Sequence, residues 1–280
     1  VRQDLPSSRR QDVDMTNAPA SSYSFIRTEP ARRMRLHDLD VQGDQVLGSM
    51  DMGEWCRIHR QPSAGAIGVL VDETVGWAPV PLRQPGTWPV TTELSIDIVG
   101  PLPRTGKITC RAQASPPRGR SLHATGLVQD ETGDVIAVAT TRLRLIDSEV
   151  PTPPPAHATL PPTPSGDLLA QMGATLCDHD SMSIAAGSQI ANPLGVAHGG
   201  VILSAVAVLG QHVLRSRSSE LLMSSVHAAY IRAVPVDAVI TVQAEVLRSG
   251  RAMGVTRVDV IDAQGRLCVA GTVTGHNPNN

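Results

Sequence analysis

The stretch Asn192-Pro-Leu-Gly195-Val-Ala-His198-Gly199-Gly200 places an amide, an imidazole and two glycines directly before a mostly apolar run that begins at Val201. Such a run reads as a buried helix whose first turn must stay open to another molecule. Glycine lets a partner approach the backbone closely. First-turn N–H groups have no helical acceptor and sit at the positive end of the helix dipole. The N–H of Gly199 or Gly200 is therefore a candidate donor to a carbonyl oxygen that gains negative charge during a reaction.

A faded echo of this stretch lies in the first half of the chain, Ser63-Ala-Gly65-Ala-Ile-Gly-Val-Leu-Val-Asp72-Glu73. Aligning the two shows a reciprocal loss. Ser63 stands where His198 stands, and Arg57 where Asn192 stands. Nine residues after His198 comes Ala207, and nine after Ser63 comes Asp72. An acid in so apolar a run is expensive to bury without a partner or a task. Asp72 is thus the candidate general base or nucleophile, with Glu73, roughly 100° further round the helix, as the alternative acid. Asn192 would orient water or a carbonyl, and His198 would hold the loop or the substrate. The plainer readings are a partnered structural acid and an imidazole that hydrogen-bonds its own loop. His59, His123, His212 and His227 read as structural or surface residues, and the methionines as core filler.

Those residues need a scaffold, and the rest of the chain supplies it twice. In each half the helix is followed by four segments of alternating, β-branched composition: residues 91–101, 106–114, 121–130 and 135–145, then 224–234, 239–247, 252–262 and 267–275. Matching turns, Glu131-Thr-Gly133-Asp and Asp262-Ala-Gln-Gly265, join the last two segments of each half. Between the halves seven of the fourteen residues from Pro151 to Pro164 are proline. Such a run favours an extended spacer rising about 3.1 Å per residue. A helix apolar on nearly every side must be wrapped by its sheet, and a wrapped helix twice over is an α+β double hotdog, two repeats forming an intrachain pseudo-dimer. Residues 1–33 are expected to be a disordered N-terminal tail, with Met15 a possible alternative start. Residues 34–146 form the first hotdog repeat, 147–166 the linker, 167–276 the second repeat and 277–280 a C-terminal tail.

The pattern Asn192-x-x-Gly195-x-x-His198-Gly199-Gly200 resembles the signature of the PaaI-type hotdog acyl-CoA thioesterases, in which a helix carboxylate usually follows nine residues after the His. The resemblance covers both halves and is sharper in the second. It implies an active site at the interface, with the acid from one repeat and the His-Gly-Gly loop from the other. Asp72 with Asn192, His198, Gly199 and Gly200 would then form the one working site, and Ser63 with Ala207 a dead one. Thr91 aligns with a hydroxyl that supports water in some relatives. Arg120 and Arg251, in matching turns beside glycines, are candidates to hold coenzyme A phosphates, against the reading as solvated arginines. Coenzyme A enters only as part of the substrate; no other cofactor and no metal is implied. The rival reading is a non-catalytic hotdog protein that binds acyl-CoA or acyl carrier protein. A hotdog hydratase ranks last, since its paired acid and histidine pattern is not found.

Composition narrows the remaining classes. A net charge of −2 argues against a nucleic-acid binder. Three Trp, two Tyr and one Phe leave the cores to aliphatic residues and argue against an aryl-specific pocket. Four scattered cysteines read as free thiols in a reducing compartment. No unbroken apolar span or signal-peptide core is found. A cytoplasmic location is the expectation, and the resemblance to hotdog proteins, which commonly assemble as dimers of dimers, implies a homodimer of tandem chains.

Overall fold

The computed structural model describes residues 28–37, 39–148 and 165–279. Of the tail expected over 1–33, residues 1–27 lie outside them, as do residues 149–164 of the linker expected over 147–166. The first repeat comprises α1 (Glu29–Arg33), β1 (Asp40–Gln42), β2 (Gln45–Met52), the two-residue strands β3 (Arg57–Ile58) and β4 (Gln61–Pro62), α2 (Gly68–Trp77), β5 (Thr87–Ile98), β6 (Gly106–Ala114), β7 (Ser121–Gln129) and β8 (Val135–Asp147). The second comprises α3 (Leu168–Met172), β9 (Ala174–Asp178), β10 (Ser181–Ile184), α4 (Gly199–Arg217), β11 (Leu222–Tyr230), β12 (Ile240–Ser249), β13 (Met253–Ile261) and β14 (Leu267–His276).

All strands but β3 and β4 join one sheet, in the order β1-β2-β6-β7-β8-β5-β11-β14-β13-β12-β10-β9. The order reads alike from either end, because the second repeat duplicates the first across a central β5–β11 seam. There the strands run antiparallel, with Ile96 opposite Val226 and Leu94 opposite Ala228. Alternation sets which face is buried: along β7 every second side chain from Leu122 to Val128 points inward. The sheet wraps α2 and α4, and buried side chains from both repeats merge into one continuous core. The protein is an α+β double hotdog. α4 has the length and apolarity to cross a membrane, yet most of it is buried inside the protein.

The helices meet along a seam of small residues. A Cβ on Gly200 would lie 2.6 Å from both Gly68 O and Val69 Cα; one on Gly68 would lie 2.5 Å from Ser204 Oγ and 2.7 Å from Gly200 O. Backbone against backbone at this distance has no room to yield. The glycine after Gly199 in the motif is therefore a helix-packing residue, and it fixes how closely the acid of one helix approaches the first turn of the other.

Two boundaries differ from the sequence expectation. Residues 28–33 are not tail: Thr28 caps α1, its hydroxyl accepting from Ala31 N at 3.2 Å, and Pro30 and Ala31 are buried. Five helical residues flanked by a polar segment give too short a period to register in sequence. At the other end Asn277 is buried, donating to Glu220 and accepting from Asn279 N, so it closes the second repeat. The four cysteines are free, Cys177 exposed and the others buried; burial pushes the Cys110 thiol up to about 12.

Substituting Gly200→Ala is expected to lower unfolding stability by about 2 kcal/mol, the scale of an overpacked core. Gly76→Ala, where an added Cβ meets nothing within 4 Å, is expected to be neutral or stabilising. Urea denaturation of the two variants checks both.

Candidate active site

The loop before α4 spends most of its motif on its own geometry. Asn192 Oδ1 accepts from Leu194 N at 2.9 Å and Val196 N at 3.3 Å. Asn192 N donates to Val196 O, and Gly195 sits at φ +75°, where glycine is favoured. Two backbone donors on one side-chain atom fix which end of the amide is oxygen. The Nδ2 group has no acceptor among the described residues, and Asn192 lines a cavity of about 590 Å³.

His198 follows, 4% exposed, between two carboxylates of α2. Its Nδ1 lies 3.1 Å from Asp72 Oδ2 and its Nε2 2.8 Å from Glu73 Oε1. Burial disfavours the charged ring, but the Glu73 and Asp72 carboxylates outweigh it and push its pKa up to about 10. The ring is an imidazolium at neutral pH, so both nitrogens donate. Gly200 N lies 2.7 Å from Asp72 Oδ2 and 3.1 Å from His198 Nδ1; with Nδ1 protonated, the carboxylate is the acceptor. An acid from the first repeat thus caps the helix of the second, at the end where negative charge is favoured.

The two acids are bound differently. Glu73, 7% exposed, also accepts from Thr28 Oγ1 at 3.1 Å and from Trp77 Nε1 at 3.2 Å. Those donors, with His198, occupy both its oxygens, which makes it an anchor. Asp72, 8% exposed, accepts at Oδ2 from Gly200 and His198 and at Oδ1 from Thr91 Oγ1 at 3.2 Å. Oδ1 keeps a lone pair, and Asp72 and Thr91 both line the cavity.

The two glycines of the motif divide their tasks. The Gly199–Gly200 peptide is clamped at both ends, its N–H by Asp72 and its C=O by the Tyr230 hydroxyl, which donates at 2.7 Å. Gly200 N–H, expected as a possible carbonyl donor, is therefore already engaged, and Gly200 does not line the cavity. The Gly199 N–H has no acceptor among the described residues, and Gly199 does line it. A Cβ on Gly199 would lie 2.9 Å from Asp72 Oδ2, so the acid can sit this close only to glycine.

Neither arginine expected to hold phosphates lines the cavity. Arg120 is held by Asp147, Nη2 to Oδ1 at 2.5 Å and Nη1 to Oδ2 at 3.2 Å. Arg251 stands exposed in the β12–β13 turn. The arginine on the cavity wall is Arg232, which also donates to Leu267 O. Sequence reasoning also missed Tyr230, Thr28 and Trp77. Trp77, Trp88 and Tyr230, half of the chain's six aromatic residues, line this cavity, the indoles edge to face at 5.9 Å.

Known proteins agree with this architecture. Residues 188–276 match the family model described as the acyl-CoA thioesterase N-terminal domain. The tesB protein of Mycobacterium avium subsp. paratuberculosis is similar in structure at a TM-score of 0.63 and 9% identity, over 89% of this chain and 98% of that one. The 12:0-ACP thioesterase of Umbellularia californica aligns at 0.60 and 11%, over 84% and 95%. The acyl-CoA thioesterase II TesB2 of Mycobacterium marinum aligns at 0.59 and 10%, over 88% and 97%. No curated protein matches the chain in sequence. These findings define a double-hotdog fold whose second half matches an acyl-CoA thioesterase domain model.

The imidazolium has a consequence for stability. His198 holds its proton in the folded chain up to about pH 10 and loses it near 6.5 when unfolded. Its contribution is fully present below pH 6.5 and is lost as pH rises through 10. Between those values unfolding stability should fall with pH, by up to about 1.4 kcal/mol per unit for one proton. Chemical denaturation across that range is expected to show the slope in wild type and to lose it in His198→Gln.

Proposed function

We propose that the chain hydrolyses acyl-CoA thioesters at one composite site between its repeats, with Asp72 as general base. What carries this reading is convergence: Asp72 and Thr91 from the first repeat and Asn192, His198 and Gly199 from the second line or border a single cavity. A water held by Asp72 Oδ1 and Thr91 attacks the thioester carbon while its proton passes to Asp72. The carbonyl oxygen becomes an oxyanion opposite the Gly199 N–H, at the positive end of α4, with Asn192 Nδ2 as a further donor. Collapse breaks the C–S bond, and the thiolate takes the proton from Asp72, leaving a carboxylic acid and coenzyme A.

The state of Asp72 favours the base over the nucleophile. Its Oδ2 carries two hydrogen bonds, one from a cation, and Oδ1 is turned by Thr91; such a carboxylate is a poor attacking group and a well-aimed proton acceptor. The PaaI-type likeness rests on the Asn192–Gly200 signature, and the substrate's coenzyme A moiety would meet Arg232 at the cavity wall. A non-catalytic binder has less support, because the departures at Arg57, Ser63 and Ala207 all fall on the opposite side of the pseudo-dimer.

Thiol release from short, long and aryl acyl-CoAs tests the reading. Asp72→Asn is expected to lose at least about a hundredfold in kcat, the contribution of a positioned base. Glu73→Gln should lose far less. Equal losses in the two variants, both folded, would move the base to Glu73; no turnover by wild type on any thioester would sink the hydrolase reading for this site.

A further inference from the structure

A second cavity, of about 800 Å³, lies at the pseudosymmetric position, where Ser63 and Ala207 replace His198 and Asp72. A site that had only decayed would keep the walls of its twin. This one has different walls. Thirteen, fourteen and seventeen residues after His198, the second repeat presents Gln211, His212 and Arg215; the same offsets from Ser63 give Gly76, Trp77 and Val80 in the working cavity. An apolar strip has become polar and basic. His212 and Arg215, three apart on α4, share a helix face.

His59 completes the set. The β3–β4 turn holds His59 at φ +48° and Arg60 at φ +68°, a left-handed pair that costs residues with a Cβ about 1–2 kcal/mol each. Backbone strain of this kind persists where the surrounding structure uses it. Here the turn sets the His59 ring 5.8 Å from the His212 ring, both on the cavity wall. Neither ring and no atom of the Arg215 guanidinium has a hydrogen-bond or ion-pair partner among the described residues. Burial and the neighbouring His59 and His179 push the His212 pKa down, which an arriving anion would relieve. No Asp or Glu is among the residues lining this cavity, whose remaining walls include Ile98, Leu102, Val208 and Met223.

We propose that this second cavity is a non-catalytic binding site for an acyl carboxylate, its head group on Arg215, His212 and His59 and its hydrocarbon body against the apolar walls. The ligand class is that of the acid released in the proposed hydrolysis, so naming it a product site rests on that reading. Binding itself does not. The cavity has no acid to activate water and carries Ala64 where the working site needs Gly199. A thioester bound here would not turn over.

Calorimetric titration of the full chain with octanoate tests the proposal, with coenzyme A as the comparison. Octanoate is expected to bind wild type and Asp72→Asn alike, and to bind at least tenfold more weakly to Arg215→Ala and to His212→Leu. Arg215 is exposed, so that variant should fold; retained thioester turnover or an unchanged circular dichroism spectrum verifies this. Octanoate binding that is absent, that ignores both substitutions, or that is lost in Asp72→Asn overturns the proposal. So does Arg215-dependent binding of coenzyme A without octanoate, which would make the site one for phosphate. Should no thioester be hydrolysed while octanoate still binds through Arg215, the hydrolase reading fails and the carboxylate site stands.

Discussion

His198 is charged inside the protein because two carboxylates meet it there, and much of the molecule is arranged to let them. One imidazolium between two acids leaves an excess negative charge, which is spread over donors that reach it from four directions: Gly200 N–H, Thr91, Thr28 and Trp77. Buried charge of this kind adds little net stability when complete, yet removing one member costs about 3–5 kcal/mol. Its effect is to define a register. Only one docking of the first repeat on the second brings Asp72 and Glu73 to the two nitrogens of the same ring.

The glycine seam makes that docking possible, and the duplication explains its asymmetry. In a dimer of identical subunits any substitution appears at both sites. Once the copies share a chain, the helix acid can remain in one and the loop in the other. Gly65, in the place of Gly200, still packs against Ser204 and Val208, so the packing has been retained on both sides while the acid and the imidazole meet on one. Ser63, in the place of His198, caps the 3-10 turn Ala64–Ile67 that leads into α2, accepting from Gly65 N at 3.3 Å. A short hydroxyl satisfies the backbone locally and asks for no carboxylate across the interface.

The sequence is informative wherever structure is periodic or repeated. Alternation located the eight long strands to within a few residues, and the reciprocal spacing of Asp72 and His198 brought the right repeats together. It is uninformative about who donates to whom. Nothing in the order of residues says that Gly200 N–H is taken by Asp72 while Gly199 N–H stays open, because that depends on a helix crossing set by Gly68. Tyr230 ends a strand and Thr28 precedes a five-residue helix; each reaches the site only through tertiary folding. Arg120 illustrates the opposite error, in which a suggestive motif beside a glycine is occupied by Asp147 nearby.

The capping of α4 by an acid from α2 also bears on how this protein is made. A helix start is ordinarily completed by residues a few positions away, so it forms as soon as its own segment does. Here the donor of the last hydrogen bond and its acceptor are separated by 128 residues. The cluster of Asp72, Glu73, His198 and Gly200 therefore comes into being only with the final docking of the two repeats, and the first turn of α4 is completed last.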